Sequence, residues 1–252
     1  MAEDGYLYLT DFLDPEDVLK ARTELLHKLF EHGFIDPAFP LQDAVSLGRK
    51  RLPLNGKSPL SETLRTLPAL LALSQHPKLM GFFEAFLGAP ILNYDYLWLR
   101  AARIGEATGC HYDHVYMGRG TDQLYTSWIP LGDVPRVEGP LAILAGSNHF
   151  NFLIQTYGQL DVDRDKDKLD PTLHGWLTLN PNEPCHQYGG RWLTSDFHLG
   201  DVLIFTMYTL HCSLDNRSPE NRVRLSIDIR KQLASEGADP RWVGENVVGH
   251  DG

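Results

Sequence analysis

The chain has 252 residues, of which 42% are hydrophobic and 22% are charged, a balance that is typical of globular proteins and excludes a disordered chain. Its formal net charge of −10 argues against a general binder of nucleic acid or of anionic membranes. Three cysteines without CxxC spacing argue against a secreted disulfide scaffold.

The N-terminus is acidic and lacks the basic and apolar regions of a signal peptide. No segment of the sequence approaches the ~18 uninterrupted apolar residues that span a bilayer. We therefore expect a cytoplasmic protein whose partner is a small molecule, with no membrane and no nucleic acid as partner. The sequence does not indicate an oligomeric state.

The first third of the chain is predicted to be helical. Asp14-Pro15 is typical of a helix N-terminus, apolar residues then recur at helical spacing, and Gly33 is the expected stop. A second helix is predicted over about 61–73 and a third over about 76–86, which Gly88 closes.

After Pro90 the chain changes to short segments rich in aromatic and β-branched residues, separated by Gly, Pro and Asp. Such segments are typical of the strands of a jelly roll or barrel. The predicted strands are ILNYDYLWLR, HYDHVYM, QLYTSWIPL, PLAILAG, GDVLIFTMYTL and RVRLSIDI. The expected fold is mainly β with flanking α-helices.

One domain over residues 1–252 is the simplest interpretation, because no repeat or low-complexity linker divides the chain. Its helical N-terminal third would pack on a jelly-roll core from about 91 to 232. A loop insertion of about 151–192 contains the run DVDRDKDKLD. We interpret that run as a solvated loop, with a lid over the pocket as the alternative, because long ordered loops often carry function.

His111-Tyr112-Asp113 is the first feature that indicates chemistry. On a strand, residues i and i+2 point to the same face, so the imidazole and the carboxylate can converge on one point. His211, near the end of an apolar predicted strand, is the expected third ligand. Two histidines and one carboxylate form the facial arrangement of non-haem Fe(II) oxygenases, whereas a structural zinc site needs four closed ligands.

The segment after His211 predicts a second binding element. Arg222 follows His211 by eleven residues on the next predicted strand, which would place its guanidinium deep in the barrel. A buried arginine needs an anionic partner, and the far carboxylate of a dicarboxylate would supply one. Ser213 would add a hydroxyl group to the same site. The alternative is that Arg222 pairs with a protein carboxylate such as Asp228.

These motifs resemble the phytanoyl-CoA dioxygenase family of Fe(II)- and 2-oxoglutarate-dependent oxygenases, from about Gly5 to Trp242. The matching segments are DGYLYLTDFLDPEDV, HYDH with its HxD motif, EGPLAILAGSNHF, and GDVLIFTMYTLHCSLDNRS followed by Arg222. The HxD motif alone is unspecific, but together with His-x-Ser-x2-Asn and the arginine it is a specific match.

The resemblance implies a double-stranded β-helix, which is a jelly-roll and cupin-like core, with iron inside. It implies Fe(II), 2-oxoglutarate and O2 as cofactor and cosubstrates, and hydroxylation or another oxidation of a small-molecule C–H bond. By position, His111, Asp113 and His211 would be the catalytic iron ligands. Arg222, Ser213 and Trp128 would bind 2-oxoglutarate. Asp113 favours oxidation over halogenation, because related halogenases have a small residue in its place.

Two other functions compete with the oxygenase. One is a cupin-type metalloenzyme that does not use 2-oxoglutarate, and Arg222 with Ser213 argues against it. The other is a non-catalytic ligand-binding relative, against which the three intact ligands argue. The sequence does not identify the substrate or the type of oxidation.

Several other residues have structural or pocket-lining interpretations. Arg100, Arg103 and Arg230 are expected to form salt bridges, with binding of an acidic substrate or the cosubstrate as the alternative. Tyr96, Trp98 and Arg100 share one face of a predicted strand, for which core packing is expected and pocket lining is the alternative. Tyr116, Met117 and Tyr125 are candidate pocket residues. His114, His149 and Cys212 are predicted to lie outside the metal site.

Overall fold

Four helices form the N-terminal layer of the structure, a computed structural model that describes residues 1–48, 58–245, 247 and 249–251. They are α1 (Pro15–Glu31), α2 (Pro59–Arg65), α3 (Pro68–Ser74) and α4 (Pro77–Leu87). Each begins with proline, whose fixed φ and missing N–H suit the first helical position. Their apolar faces pack into the largest core cluster, against one side of the main sheet.

The helix boundaries confirm most of the prediction. Asp14 caps α1 by accepting a hydrogen bond from the Glu16 amide at 2.9 Å, and Gly33 follows the helix end with a φ of 72°. The helix predicted over 61–73 is wrong in one respect. It is divided into α2 and α3, because Pro68 lacks the amide hydrogen that would continue α2 and instead begins α3.

Within the described part of the chain, nine strands form two antiparallel sheets. They are β1 (Tyr6–Leu9), β2 (Ile91–Asn93), β3 (Trp98–Ala102), β4 (Tyr125–Pro130), β5 (Leu141–Leu144), β6 (Trp192–Leu193), β7 (Val202–Thr206), β8 (His211–Ser213) and β9 (Arg224–Leu233). The large sheet has the order β1-β7-β4-β9-β2, with β3 also paired to β9, and the small sheet has the order β6-β5-β8. The predicted mainly β fold with flanking helices is confirmed.

Short helices connect the strands. They are α5 (His114–Met117), α6 (Asn151–Gln155) and α7 (Asn182–Tyr188), with single 3-10 turns at Leu41–Asp43, Arg136–Glu138, Ser147–His149, Tyr157–Gln159 and Gly249–Asp251. Within the described ranges, no helix combines the length and the apolar character needed to cross a membrane.

Strand β9 separates the apolar layer from the interior of the barrel. Leu225, Ile227 and Ile229 belong to the core cluster that packs against the helices. The alternating residues Arg224, Ser226, Asp228 and Arg230 are also buried but point to the opposite side, because side chains alternate along a strand. A row of polar and charged groups therefore faces the space between the two sheets.

Two of the predicted strands differ from the structure. ILNYDYLWLR contains β2 and β3 with a break at residues 94–97. HYDHVYM is not a strand, because Asp113 has a helical backbone (φ −62°, ψ −28°) and its carbonyl accepts hydrogen bonds from the amides of Tyr116 and Met117. Only His111 keeps a strand-like pairing, as an isolated bridge to His211.

The acidic run in the 151–192 segment is only partly solvated. Asp161 and Asp163 are 15% and 13% exposed, and they form ion pairs with Arg119 and Arg241 at 2.7 and 2.5 Å. The interpretation of this run as a solvated loop is therefore wrong for these two residues. Farther along the same segment, Trp176 lines the main cavity, so the segment forms part of the cavity wall.

Candidate active site

Three side chains converge between the two sheets. The ligand atoms of His111, Asp113 and His211 all lie within 4.8 Å of one another, and all three residues are buried. The Nε2 atoms of His111 and His211 lie 3.9 and 3.7 Å from Oδ1 of Asp113. The site predicted from the HxD motif and the distal histidine is therefore brought together by the fold, although Asp113 reaches it from the start of α5.

Backbone hydrogen bonds fix both histidines. The amide of each residue donates to the carbonyl of the other, at 3.0 and 3.1 Å, which pairs the two chain segments. Nδ1 of His111 lies 2.8 Å from the Gly109 carbonyl, and Nδ1 of His211 lies 2.9 Å from the Thr209 carbonyl. Because a carbonyl only accepts, Nδ1 carries the proton and the Nε2 lone pair points into the site, as in metal-binding histidines.

The same surroundings keep the histidines neutral. Burial lowers the pKa of His111 to about 3, and the neighbouring His211 adds to this effect. Burial also lowers the pKa of His211. At neutral pH both imidazoles are therefore unprotonated at Nε2, which is the form that binds a metal.

Asp113 is held as a carboxylate by the large sheet. Burial alone would raise its pKa, but the positive charge of Arg230, the two histidines and a hydrogen bond from Thr126 lower it well below its usual value. Thr126 Oγ1 donates to Oδ2 at 2.5 Å, and Nη2 of Arg230 lies 3.3 Å from the same oxygen. Asp113 therefore presents a charged, oriented oxygen to the histidines.

One cavity of about 530 Å³ opens onto this triad. His111 and Asp113 form part of its floor, so one side of the triad stays accessible. The remaining lining residues are Glu62, Arg65, Tyr96, Trp98, Arg100, Thr108, Tyr116, Met117, His174, Trp176, Arg230, Trp242, Val247, Gly249 and His250. Tyr96, Trp98 and Arg100 thus line the cavity, as the alternative interpretation had it, while Tyr96 and Trp98 also pack in a hydrophobic core cluster, as expected.

The predicted position of Arg222 is wrong. Its side chain is 41% exposed and forms an ion pair with Glu220 at 2.6 Å, so it does not lie deep in the barrel. Arg222 lies just before β9 begins, and its backbone pairs with that of Val45 in an isolated bridge. The alternative pairing with Asp228 is also not found, because Arg100 donates to that carboxylate at 2.8 Å.

Arg224 occupies the position predicted for Arg222. It is 3% exposed, and its guanidinium donates to Ser213 Oγ at 3.1 Å and to Ser226 Oγ at 2.7 Å, while Nε has no partner. Burial lowers the pKa of Arg224 to about 10, and Asp228 opposes this shift. No described carboxylate lies within ion-pair distance of Arg224, so this buried cation lacks an anionic partner.

Ser213 and Trp128 face the same interior. Ser213 is 7% exposed, and its amide donates a hydrogen bond to Thr108 Oγ1 at 2.7 Å. Trp128 is 1% exposed, shares the face of β4 that carries Thr126, and has an indole N–H without a partner. Its unpaired donor is compatible with the predicted contact to a cosubstrate.

Most of the remaining residues lie where they were expected. His114 contacts Asp122 at 3.1 Å, His149 contacts the Glu3 carbonyl at 3.0 Å, and Cys212 packs in an apolar cluster, so none joins the triad. Arg103 forms the predicted salt bridge, with Glu106 at 2.6 Å. The prediction that Tyr125 lines the pocket is wrong, because its ring packs against Phe83 and Phe86 outside the cavity.

Sequence reasoning missed Arg224 and several residues around the triad and the cavity, among them Arg65, Thr126, Trp176 and Trp242. Thr126 is detectable in principle, since it lies two residues before Trp128 on a strand whose alternate positions face inward. Arg65, Trp176 and Trp242 come from a helix, a long loop and the C-terminal segment, which tertiary contacts alone bring to the cavity.

The donor set fits Fe(II). Two neutral imidazoles and one carboxylate match a facial triad with open positions, and the accessible side faces the cavity. Cys110 and Cys212 stand next to the two histidines in sequence, but both pack in an apolar cluster. The site therefore offers no thiolate to complete a closed zinc site.

The family model of phytanoyl-CoA dioxygenase (PhyH) matches residues 1–224, which is most of the chain. The chain belongs to this family. It is a non-haem, Fe(II)- and 2-oxoglutarate-dependent dioxygenase, in agreement with the triad and with the family resemblance of its motifs. Its cofactor and cosubstrates are Fe(II), 2-oxoglutarate and O2.

Two bacterial enzymes are similar in sequence to this member of the family. The 1-deoxypentalenic acid 11-beta-hydroxylase of Streptomyces exfoliatus is 27% identical over 244 residues, which cover 92% of this chain and 79% of the relative. The enzyme of the same name from Streptomyces arenae is also 27% identical, over 252 residues, with the same coverage.

Solved structures confirm the fold. The non-heme alpha ketoglutarate dependent carbocyclase SnoK from nogalamycin biosynthesis has a TM-score of 0.63 at 19% identity, over 95% of this chain and 83% of that protein. EctD from S. alaskensis, in its apoform, has a TM-score of 0.61 at 16% identity, over 98% and 82%. The core of the family member is thus the expected double-stranded β-helix.

Proposed function

We propose that this enzyme hydroxylates a C–H bond of a small molecule bound in the cavity, with His111, Asp113 and His211 as its iron ligands. The observation that carries this proposal is a facial triad that opens onto an aromatic cavity of about 530 Å³. The two relatives named as hydroxylases support hydroxylation as the type of oxidation. Asp113 supports it as well, since a carboxylate occupies the position that a halide would need.

We assign the distal carboxylate of 2-oxoglutarate to Arg224 and Ser213. Arg224 is a buried cation without an acidic partner, which is unfavourable by several kcal/mol until an anion binds. A carboxylate at this point would accept charge-assisted hydrogen bonds from the guanidinium and from Ser213 Oγ. Trp128 would contribute its unpaired indole N–H to the same pocket.

When bound, Fe(II) would activate O2, whose four-electron reduction would couple oxidation of the substrate to decarboxylation of 2-oxoglutarate to succinate and CO2. The protein's own part is orientation and exclusion of water. Arg230 and Thr126 fix the carboxylate of Asp113, and the Gly109 and Thr209 carbonyls fix the imidazoles. Trp98, Trp176 and Trp242 cover the approach to the triad with apolar surface, which keeps bulk water away from it.

The first test is an anaerobic titration of the protein with Fe(II) and 2-oxoglutarate, recorded in the visible spectrum. Chelation of iron by the keto acid gives a weak charge-transfer band, which we expect for the wild type but not for Asp113→Ala. Arg224→Gln should raise the half-saturating concentration of 2-oxoglutarate by about 10- to 100-fold, because a hydrogen-bonded charge contributes about 1.5–3 kcal/mol.

Arg222→Gln is the matched control, since it removes a guanidinium two residues away. It should leave 2-oxoglutarate binding unchanged. The reverse result, with Arg222 essential and Arg224 dispensable, would return the cosubstrate site to the residue first predicted. Hydroxylation itself is tested by mass spectrometry of the products, which should show the gain of one oxygen atom per succinate formed. Succinate without an oxygenated product from any bound compound would contradict it.

A further inference from the structure

An aromatic wall lines part of the cavity. It consists of Tyr96, Trp98 and Trp242, whose ring centroids lie 4.6, 5.0 and 4.8 Å apart in the three pairs. Arginine side chains lie over these rings. The guanidinium of Arg65 is 4.2 Å from the centroid of Tyr96, and that of Arg230 is 4.0 Å from the centroid of Trp98.

The cations near this wall differ in whether an acid neutralises them. Arg230 contacts Asp113 at 3.3 Å and Arg100 contacts Asp228 at 2.8 Å. Arg241, over the third ring, pairs with Asp239 at 2.6 Å. These guanidiniums are committed to carboxylates of the protein itself.

Arg65 is the exception among these arginines. It forms no ion pair with any residue in the described ranges, and its Nε is buried without a hydrogen-bond partner. Glu62 lies one turn earlier on α2 and also lines the cavity, but no ion pair joins the two. Residues 49–57, which precede this helix, contain no Asp or Glu.

We propose that Arg65 binds the carboxylate of an acidic substrate whose apolar, ring-containing body lies against the aromatic wall. The proposal rests on the proposed function, because it concerns the substrate of the same cavity. The contact with Tyr96 holds the guanidinium in place, and its two Nη groups, which donate to no described residue, are free to form two hydrogen bonds with a carboxylate.

The wall favours a single anionic group on the substrate. Among the described residues of the wall, only the guanidinium of Arg65 is not paired with an acid, whereas a polyphosphate or a second carboxylate would need further cations. The three rings offer flat apolar surface to the rest of the molecule. The substrate class is therefore a monocarboxylic acid with a compact cyclic body.

Intrinsic fluorescence can test this without catalysis, because three of the five tryptophans line the cavity. The probes are benzoic acid, 2-naphthoic acid and 1-adamantanecarboxylic acid, each compared with its primary amide. The protein is loaded with Ni(II) and 2-oxoglutarate, which occupies the cosubstrate site. We expect at least one acid to bind more tightly than its amide, and Arg65→Gln to weaken that acid by about 10-fold or more. Arg65→Lys should retain part of the preference.

Glu62→Gln is the control for which the opposite effect is expected. It removes a negative charge from the same cavity and should strengthen binding of the acid. If no acid binds more tightly than its amide, or if Arg65→Gln weakens acid and amide equally, the proposal is overturned.

A parallel titration with 2-oxoglutarate separates the two proposals. Arg224→Gln should weaken 2-oxoglutarate and Arg65→Gln the acid probe. Repeating the probe titration without metal and 2-oxoglutarate keeps the result independent of the oxygenase assignment.

Discussion

Arg230 connects the His111–Asp113–His211 triad to the aromatic wall. Its Nη2 lies 3.3 Å from Asp113, its guanidinium stacks on Trp98, and it is only 1% exposed. Because Oδ2 of Asp113 is held from this side, Arg230 fixes the orientation of the carboxylate within the triad.

Arg230→Lys should therefore weaken Fe(II) binding. Lysine keeps the charge but loses the planar group that both stacks on Trp98 and reaches Asp113. We expect an affinity for Fe(II) about 10- to 100-fold lower, as for other residues that orient metal ligands. Anaerobic calorimetry measures it. Arg100→Lys is the control, because Arg100 pairs with Asp228; an equal loss in both variants would contradict a specific role of Arg230.

At the scale of secondary structure, β9 has one polar face and one apolar face, and the apolar face toward the helices ends in the buried amine of Lys231. Lys231 is 0% exposed, and its Nζ donates to the Ser74 carbonyl at 2.9 Å and to the Asn93 side chain. Burial lowers the pKa of Lys231 to about 7. No described acid forms an ion pair with it.

This lysine should make stability depend on pH. Its folded-state pKa of about 7 lies below the unfolded value of about 10.4, so the unfolded chain binds the proton more tightly. The free energy of unfolding should fall, on the order of a few kcal/mol, as the pH drops from about 10 to about 7, and level off below. Urea unfolding at several pH values should show this slope in the wild type but not in Lys231→Met.

Lys20→Met, on the exposed side of α1, is the comparison for that experiment. Parallel pH profiles for Lys231→Met and the wild type would show that Lys231 stays charged in the folded protein.

Local signals account for what the sequence could predict of the elements. Proline and capping residues mark the helix starts, and alternation marks β4, β7 and β9. HYDHVYM has the composition of a strand, yet the chain turns into a helix at Asp113 and so brings the carboxylate to the histidines. Composition alone does not contain that turn, because contacts from Thr126 and Arg230 stabilise it.

Local sequence signals also could not show which arginine, Arg222 or Arg224, is buried. Arg222 and Arg224 are two residues apart, so alternation places both on the same side and does not discriminate between them. The pairing of Arg224 with Ala102 puts it inside the sheet, while Arg222 pairs with Val45 outside it. A buried arginine needs an anion, and in this fold the buried residue is Arg224 rather than Arg222.

For the whole molecule, one ionic network joins three distant parts of the chain. Arg241 is 2% exposed and contacts Asp239 at 2.6 Å, Asp163 at 2.5 Å and the Tyr116 carbonyl at 2.8 Å. It thereby ties the C-terminal segment, which carries Trp242, to the 151–192 loop and to α5. The cavity wall depends on this network.

Arg241→Met should destabilise the protein strongly, because it leaves the buried carboxylate of Asp239 without a cation. We expect a loss of about 3–5 kcal/mol and a fall in Tm of about 10 °C. Differential scanning calorimetry measures both. Arg217→Met, which removes an ion pair whose arginine is 77% exposed, should change the stability by less than about 1 kcal/mol. Equal effects would show that the network does not stabilise the fold.

The alternation along β9 also limits how this gene can change in length. A one-residue insertion in the middle of the strand would exchange the faces of all residues beyond it, moving charged groups into the apolar layer and leucine or isoleucine into the site. The connection from β8 to β9 can absorb extra residues at its exposed tip, around Pro219 and Glu220, because β9 keeps its pairing there; Asn216 and Ser218 in the same connection are buried. We therefore expect related sequences to differ in the number of residues between His211 and Arg224, with the extra residues in that connection.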